Sequence, residues 1–195
     1  MRIFVDMDNT LNKMYISYNE TYKKLFNKEL ALVRENLTTY YIHQNTGDDE
    51  QLESYRKYKI FNTPGFWQNI PIYEDAVQVM KRLCDKHDVY ILTAPWILAG
   101  TGAYNEKRIW IENYLPFFDI NKVIFTKYKF LLQGDIIIDD CPEHLINNSC
   151  KWKIKMWYPF NEHIPGINAK NWIEIENHVN NIKEFGDKYG RISQL

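Results

Sequence analysis

The sequence predicts an α/β fold: a parallel sheet flanked by helices, with a small helical segment inserted after the first strand. Three observations predict it. Short apolar, β-prone runs alternate with amphipathic stretches at helical spacing over most of the chain, as in strands joined by crossover helices. Several of these runs end in an acid, a hydroxyl or a lysine, and parallel strands deliver their C-terminal ends to one edge. Between the first run and the first regular helix lies a longer, aromatic-rich stretch that reads as helix rather than strand.

The 195 residues suffice for one domain with a real core and a small insertion. Hydrophobic content of 45% and charged content of 25% are those of a globular chain and exclude disorder. A formal charge of −1, from 24 basic and 25 acidic residues, gives no basis for a nucleic-acid polymer or a membrane surface as partner. Cys84, Cys141 and Cys150 are odd in number and lack CxxC spacing, so neither a disulfide framework nor a zinc knuckle is expected. A strand-like run from Arg2 leaves no room for a signal peptide, and no run is long enough to span a bilayer. The expectation is a soluble, cytoplasmic protein.

The first strand is Ile3-Phe4-Val5, ending in Asp6-Met7-Asp8-Asn9-Thr10-Leu11. Two carboxylates spaced i, i+2 share one face inside a strand, but at its end both can line the mouth of the sheet crevice. From Asn12 to about Ile70, Met14, Tyr15, Tyr18, Tyr22 and Phe26, and later Leu52, Tyr55 and Tyr58, recur at helical spacing. The polar run Gln44 to Glu50 is a loop, and Asn62-Thr63-Pro64-Gly65 is a turn that closes the segment. Two or three helices are expected here. Phe66 and Trp67 follow that turn and are read either as core or as a stacking surface for a planar ligand. The expected division is a core of residues 1–11 and 71–195 and a helical segment of residues 12–70.

Beyond Pro71 the pattern is regular. Glu74 to Lys86 places Ala76, Met80, Leu83 and Cys84 on one face of a helix. Asp88 to Thr93 is a buried strand stopped by Ala94-Pro95. Asn105 to Leu115 is a helix with Trp110, Ile111, Tyr114 and Leu115 inward. Val123 to Thr126 and Asp135 to Asp140 are strands, Lys153 to Tyr158 is the last strand, and Trp172 to Phe185 is a C-terminal helix. Right-handed crossovers then give a parallel sheet covered on both faces.

Asp6/Asp8, Thr93, Lys129 and Asp139/Asp140 converge at one edge in this arrangement. Carboxylates brought together there repel unless a cation sits among them, and oxygen-only ligands favour Mg²⁺ over zinc. A hydroxyl and an ammonium at the same edge point to an anionic substrate, such as a phosphate. Lys127 is an alternative to Lys129. His144 is read as structural or surface, and Cys141 as a small buried residue.

In order, Asp6-Met7-Asp8-Asn9-Thr10, Thr93, Lys129 and Asp139-Asp140 resemble the four motifs of the haloacid-dehalogenase-like (HAD) phosphotransferases. Within that superfamily the chain looks most like the 5′(3′)-deoxyribonucleotidases. Pro71-Ile72 with Ala76, Leu92-Thr93-Ala94-Pro95, Glu106-Lys107 with Trp110 and Leu115, and Tyr158-Pro159-Phe160-Asn161 carry that likeness. The resemblance implies a Rossmann-like core with a small helical cap. It also implies a Mg²⁺-dependent phosphomonoesterase acting on nucleoside 5′-monophosphates, deoxyribonucleotides first, through an aspartyl-phosphate. By it, Asp6 is the nucleophile and Asp8 the proton donor and acceptor. Thr93, the Ala94 amide and Lys129 hold the phosphate. Asp6, the Asp8 carbonyl and Asp140 hold the metal, with Asp139 as the alternative to Asp140. Trp67 and Phe66 form an aromatic floor, and Met14 stands where relatives have an aromatic. The competing expectations are a phosphatase for another small phosphomonoester such as a sugar phosphate, a non-catalytic domain binding a phosphorylated ligand, and, least, dehalogenation. The partner is a small-molecule phosphomonoester, and a homodimer is left open.

Overall fold

The computed structural model describes residues 1–100, 102–186 and 188. Among the described residues six strands form one sheet: β1 (Arg2–Asp6), β2 (Asp88–Thr93), β3 (Val123–Phe125), β4 (Ile136–Asp139), β5 (Trp152–Met156) and β6 (Ile167–Ala169), in the order β3-β2-β1-β4-β5-β6. Every pairing is parallel, with Ile3 opposite both Val89 and Ile136. β1 is therefore central, and the order reverses between β1 and β4. That switch point is where open α/β sheets leave a crevice at their carboxyl ends. Five strands lie where the apolar runs predict them. β6 was not expected: three residues following Gly166 carry no alternation to detect.

Alternation along the strands separates the two faces of the sheet. Ile3, Val5, Val89, Ile91, Ile136, Ile138, Ile154 and Met156 face one side, covered by helices α3 (Ala76–Lys86), α4 (Gly102–Tyr114) and α6 (Trp172–Phe185). Phe4, Leu92 and Ile137 face the other, where the cover is thin. The chain passes from β3 to β4 on that side in only residues 126–135 and makes a single 3₁₀ turn at Lys129–Leu131 in place of an α-helix. A six-residue helix, α5 (Pro142–Asn147), completes that layer. Cover on both faces is thus observed, but unequally. The tight crossover is also what carries Lys129 under the sheet edge.

The inserted segment contains helices α1 (Met14–Phe26) and α2 (Glu50–Phe61) and 3₁₀ turns at Arg34–Asn36, Ile42–Asn45 and Trp67–Asn69. Tyr18, Tyr22, Ile60, Phe61, Phe66 and Trp67 are buried among one another. Asp49 caps α2, its Oδ1 accepting from the Leu52 amide at 2.9 Å, one of the donors a helix start leaves without an internal partner. Asp48 is fixed by Tyr22 Oη at 2.8 Å and Arg56 Nη1 at 2.6 Å, cross-linking α1 to α2 through a buried carboxylate. The two connections to the sheet run side by side. Lys13 N donates to Pro71 O at 2.8 Å and Tyr73 N to Leu11 O at 3.0 Å, across an antiparallel bridge between Asn12 and Ile72. No described helix is long and apolar enough to cross a membrane.

Candidate active site

β1 ends at Asp6, and the chain then wraps into a tight loop. Met7 O accepts from the amides of Leu11 at 2.9 Å and Asn12 at 3.1 Å, and Asn9 takes the left-handed conformation at φ 57°. Asn tolerates that region better than other side chains, since its amide can bond locally. The loop is held from distant parts of the chain. Tyr158 Oη donates to Asn9 O at 2.8 Å, and Trp172 Nε1 to Thr10 O at 3.0 Å. Asp6 and Asp8 are thus carried on a rigid turn.

At the switch point, carboxylate oxygens of Asp6, Asp139 and Asp140 lie within 4.8 Å of one another, all buried. Lys129, fully buried, donates to Asp6 Oδ1 and, at 2.7 Å, to Asp139 Oδ2. Its turn is fixed by Asn148 Nδ2, which donates to Lys129 O at 2.7 Å. Asp139 is fully engaged, because its Oδ1 also accepts from the Cys141 amide at 2.9 Å and His144 Nδ1 lies 3.2 Å from both oxygens. Asp140 differs: its Oδ2 is buried with no hydrogen-bond partner.

Charge follows from these contacts. Burial raises the Asp6 carboxyl, Lys129 pulls it back, and Asp139 and Asp8 add to the rise, leaving it at about 6. Burial also acts on Asp139, but Lys129 and His144 overcome it and bring that carboxyl to about 2. Asp140 has no such partner, so burial, with Asp6 and Asp139 beside it, pushes it well above the ordinary carboxylate value. Burial would depress the His144 imidazole, but Asp139 lifts it to about 10, so it is a cation at neutral pH. A buried, unpartnered carboxylate oxygen among other carboxylates is a donor set for a hard divalent cation. The residues fit Mg²⁺ in that chemical sense, and the free oxygen belongs to Asp140 rather than Asp139.

Above the cluster opens a cavity of about 550 Å³. Its floor includes Asp8, Asn9 and Asp140, and its core-side wall Ala94, Cys141 and His144. The inserted segment supplies Met14, Tyr40, Tyr41, His43, Lys57, Phe61 and Trp67. The Tyr40 hydroxyl is driven well above its ordinary value by burial and by Asp140, which marks it as a cavity residue close to the carboxylates. A second cavity of about 470 Å³, lined by Arg2, Phe4, Tyr90 and Leu132 among others, lies on the thin face and has no carboxylate in its lining.

Of the residues expected from sequence, Asp6, Thr93, Lys129 and Asp140 are buried together at the sheet edge, while Asp8, Ala94 and Trp67 line the cavity. Trp67 serves as both core and wall: it is 4% exposed and its Nε1 donates to Phe61 O at 3.0 Å. Phe66, expected beside Trp67 in the aromatic floor, is not among the residues that line the cavity. It packs edge-on against Trp67 and tilted against Phe61, behind the wall rather than on it, because the turn after Gly65 sends adjacent side chains to different sides. His144, read as structural or surface, is a cavity residue. Tyr40 and Tyr41 were not singled out, since no periodicity distinguishes them.

Lys107, named in the sequence only as part of the Glu106-Lys107 likeness, carries no role there. It is fully buried, and its Nζ donates to Asp8 Oδ2, to Thr93 Oγ1 at 2.8 Å and to Ala94 O at 3.1 Å. The available signal was its position. With Ala103, Trp110 and Ile111 it occupies the buried stripe of α4, where a charge needs a partner.

A model of the "5′ nucleotidase, deoxy (pyrimidine), cytosolic type C protein" family matches residues 1–185. The chain is 22% identical over 183 residues to the 5′(3′)-deoxyribonucleotidase of Clostridium acetobutylicum, covering 93% of this chain and 96% of that one. It is 27% identical over 188 residues to a Staphylococcus epidermidis protein given the same name provisionally, covering 94% and 98%. Among solved structures, a HAD hydrolase from Entamoeba histolytica superposes with a TM-score of 0.51 at 16% identity, covering 94% of this chain and 99% of the other, a likeness of fold.

Proposed function

The chain belongs to the deoxy (pyrimidine) cytosolic type C 5′-nucleotidase family and is a phosphoric monoester hydrolase, and we propose that it is a Mg²⁺-dependent nucleotidase for deoxyribonucleoside 5′-monophosphates. What carries the proposal is the partnerless Asp140 oxygen beside Asp6 and Lys129, under a cavity walled by aromatic residues. The inserted segment, residues 12–70, is read as the cap that excludes water and grips the nucleoside.

Asp6, the Asp8 carbonyl and Asp140 would hold Mg²⁺. When bound, the ion neutralises the repulsion between substrate phosphate and the acidic edge. The chain's own residues do the rest. The Asp6 carboxylate attacks phosphorus, and the bond to the ester oxygen breaks as the aspartyl-phosphate forms. Asp8, on the cavity floor, gives its proton to the departing oxygen and later takes one from the attacking water, help worth roughly 10²–10⁴-fold. Thr93 and the Ala94 amide hold phosphate oxygens, and Lys129 offsets charge as it develops. Water attacks phosphorus in the second step, freeing phosphate and restoring Asp6.

Phosphate release followed across deoxyribonucleotides, ribonucleotides and sugar phosphates, in Mg²⁺ or in chelator, tests this. Deoxyribonucleotides are expected to lead, with activity lost in chelator and in Asp6→Asn. Activity surviving either change overturns the mechanism. A sugar phosphate outpacing every nucleotide overturns the substrate while leaving the chemistry in place.

A further inference from the structure

Lys107 has no step in that scheme, yet the site is built around its ammonium. Besides Asp8, Thr93 and Ala94, the ammonium lies 4.8 Å from the centre of the Trp67 ring. With three polar acceptors, all three of its hydrogens are used. The other oxygen of Asp8 accepts from Asn12 Nδ2 at 3.2 Å, and Asn12 Oδ1 in turn accepts from the Asn9 amide at 3.0 Å. Each oxygen of the Asp8 carboxylate therefore has its own donor, while 22% of the side chain stays open to the cavity. The preceding residue ties the same helix turn to the aromatic wall. Glu106 accepts from the amides of Gly65 at 2.7 Å and Trp67 at 3.0 Å.

We propose that Lys107 is the positioning residue for Asp8, holding its carboxylate in the one orientation from which a proton reaches the leaving oxygen. It acts through Asp8 and does not touch the reacting atoms. The proposal rests on the role given to Asp8 above. Desolvating an ammonium is costly, and an apolar side chain of similar volume would pack the α4 stripe as well or better. What an apolar residue cannot do is fix a carboxylate. Released from Lys107, Asp8 keeps only its Asn12 contact and samples other rotamers, and misplacement by about 1 Å costs a catalytic group on the order of 10²-fold.

The test compares two leaving groups. A deoxyribonucleotide expels an alkoxide that needs a proton, whereas p-nitrophenyl phosphate expels a phenolate that does not. Lys107→Met is expected to lower kcat on the nucleotide by roughly 10²-fold with KM nearly unchanged, and to lower p-nitrophenyl phosphate turnover by less than about 5-fold. Asp8→Asn should show the same split. Because Lys107 acts through Asp8, the double variant should be no slower than Asp8→Asn alone. Equal losses on both substrates in Lys107→Met, or losses that multiply in the double variant, overturn the proposal. The double variant leaves no carboxylate unpaired, so it decides the matter even where Lys107→Met alone does not fold. A split seen in Asp8→Asn and absent from Lys107→Met overturns the role of Lys107 only. No split in Asp8→Asn overturns the role of Asp8, and that of Lys107 with it.

Discussion

Replacing Asp140 with Asn is expected to make the metal-free protein more stable. Its Oδ2 is buried without a partner, and its neighbours in the cluster, Asp6 and Asp139, lie within 4.8 Å. At an effective dielectric of about 20, like charges 4.8 Å apart repel by roughly 3.5 kcal/mol. The carboxyl escapes part of this by keeping its proton, at a cost of about 1.4 kcal/mol per pH unit above its unfolded value. The sign is fixed by the raised folded value: the penalty is absent below the unfolded value and grows as pH rises. Asn has no such penalty. In chelator at pH 7, Asp140→Asn should therefore melt higher by several degrees, about 2–4 °C per kcal/mol for a chain of this size. At pH 4 the gain should shrink, and with Mg²⁺ only the wild type should be stabilised. Thermal unfolding with and without chelator reads all three. A variant less stable than wild type in chelator at pH 7 refutes the picture of an uncompensated carboxylate awaiting a cation.

Lys129→Met leaves Asp6 and Asp139 facing each other with their shared cation gone. The expected losses are about 3–5 kcal/mol in unfolding free energy and at least roughly 10³-fold in kcat, read by denaturant titration and steady-state kinetics. Met14→Phe puts a flat ring on the cavity wall, so KM for deoxyribonucleotides should fall by about 5-fold, a ring contact of about 1 kcal/mol, while KM for a sugar phosphate stays unchanged. His144 is raised to about 10 by Asp139, so its stabilisation is complete below about 6.5 and lost as pH rises through 10. Metal-free wild type should therefore lose stability over that alkaline window and His144→Asn should not, as melting curves across pH will show.

The sheet was legible because its apolar strands end in chemistry-bearing residues. Asp6, Thr93 and Asp139 fall at the last positions of β1, β2 and β4, so topology alone brings them together. The choice of Asp140 over Asp139 as the free carboxylate was not fixed by spacing. It emerges from hydrogen bonding, because Lys129, His144 and the Cys141 amide occupy Asp139. β6 and α5 escaped notice because segments of three and six residues are too short for either period to register. Lys107 stands in the Glu106-Lys107 motif, but its role is not legible from the sequence. It sits mid-helix, 14 positions from Thr93 in sequence, and only packing brings it under Asp8. The cavity wall was least legible. Phe66 and Trp67 are adjacent in sequence but part company in space, and Tyr40 and Tyr41 stand at a loop whose course the sequence pattern does not define.

The central claim is that Asp6 carries the phosphoryl group during turnover. Rapid acid quench of the Mg²⁺-loaded enzyme reacting with a deoxyribonucleotide labelled in its phosphate, followed by peptide mapping, tests it directly. The expected result is a transient acyl-phosphate on the peptide that contains Asp6, absent from Asp6→Asn. Label on another residue, or turnover with no labelled protein at any quench time, contradicts it.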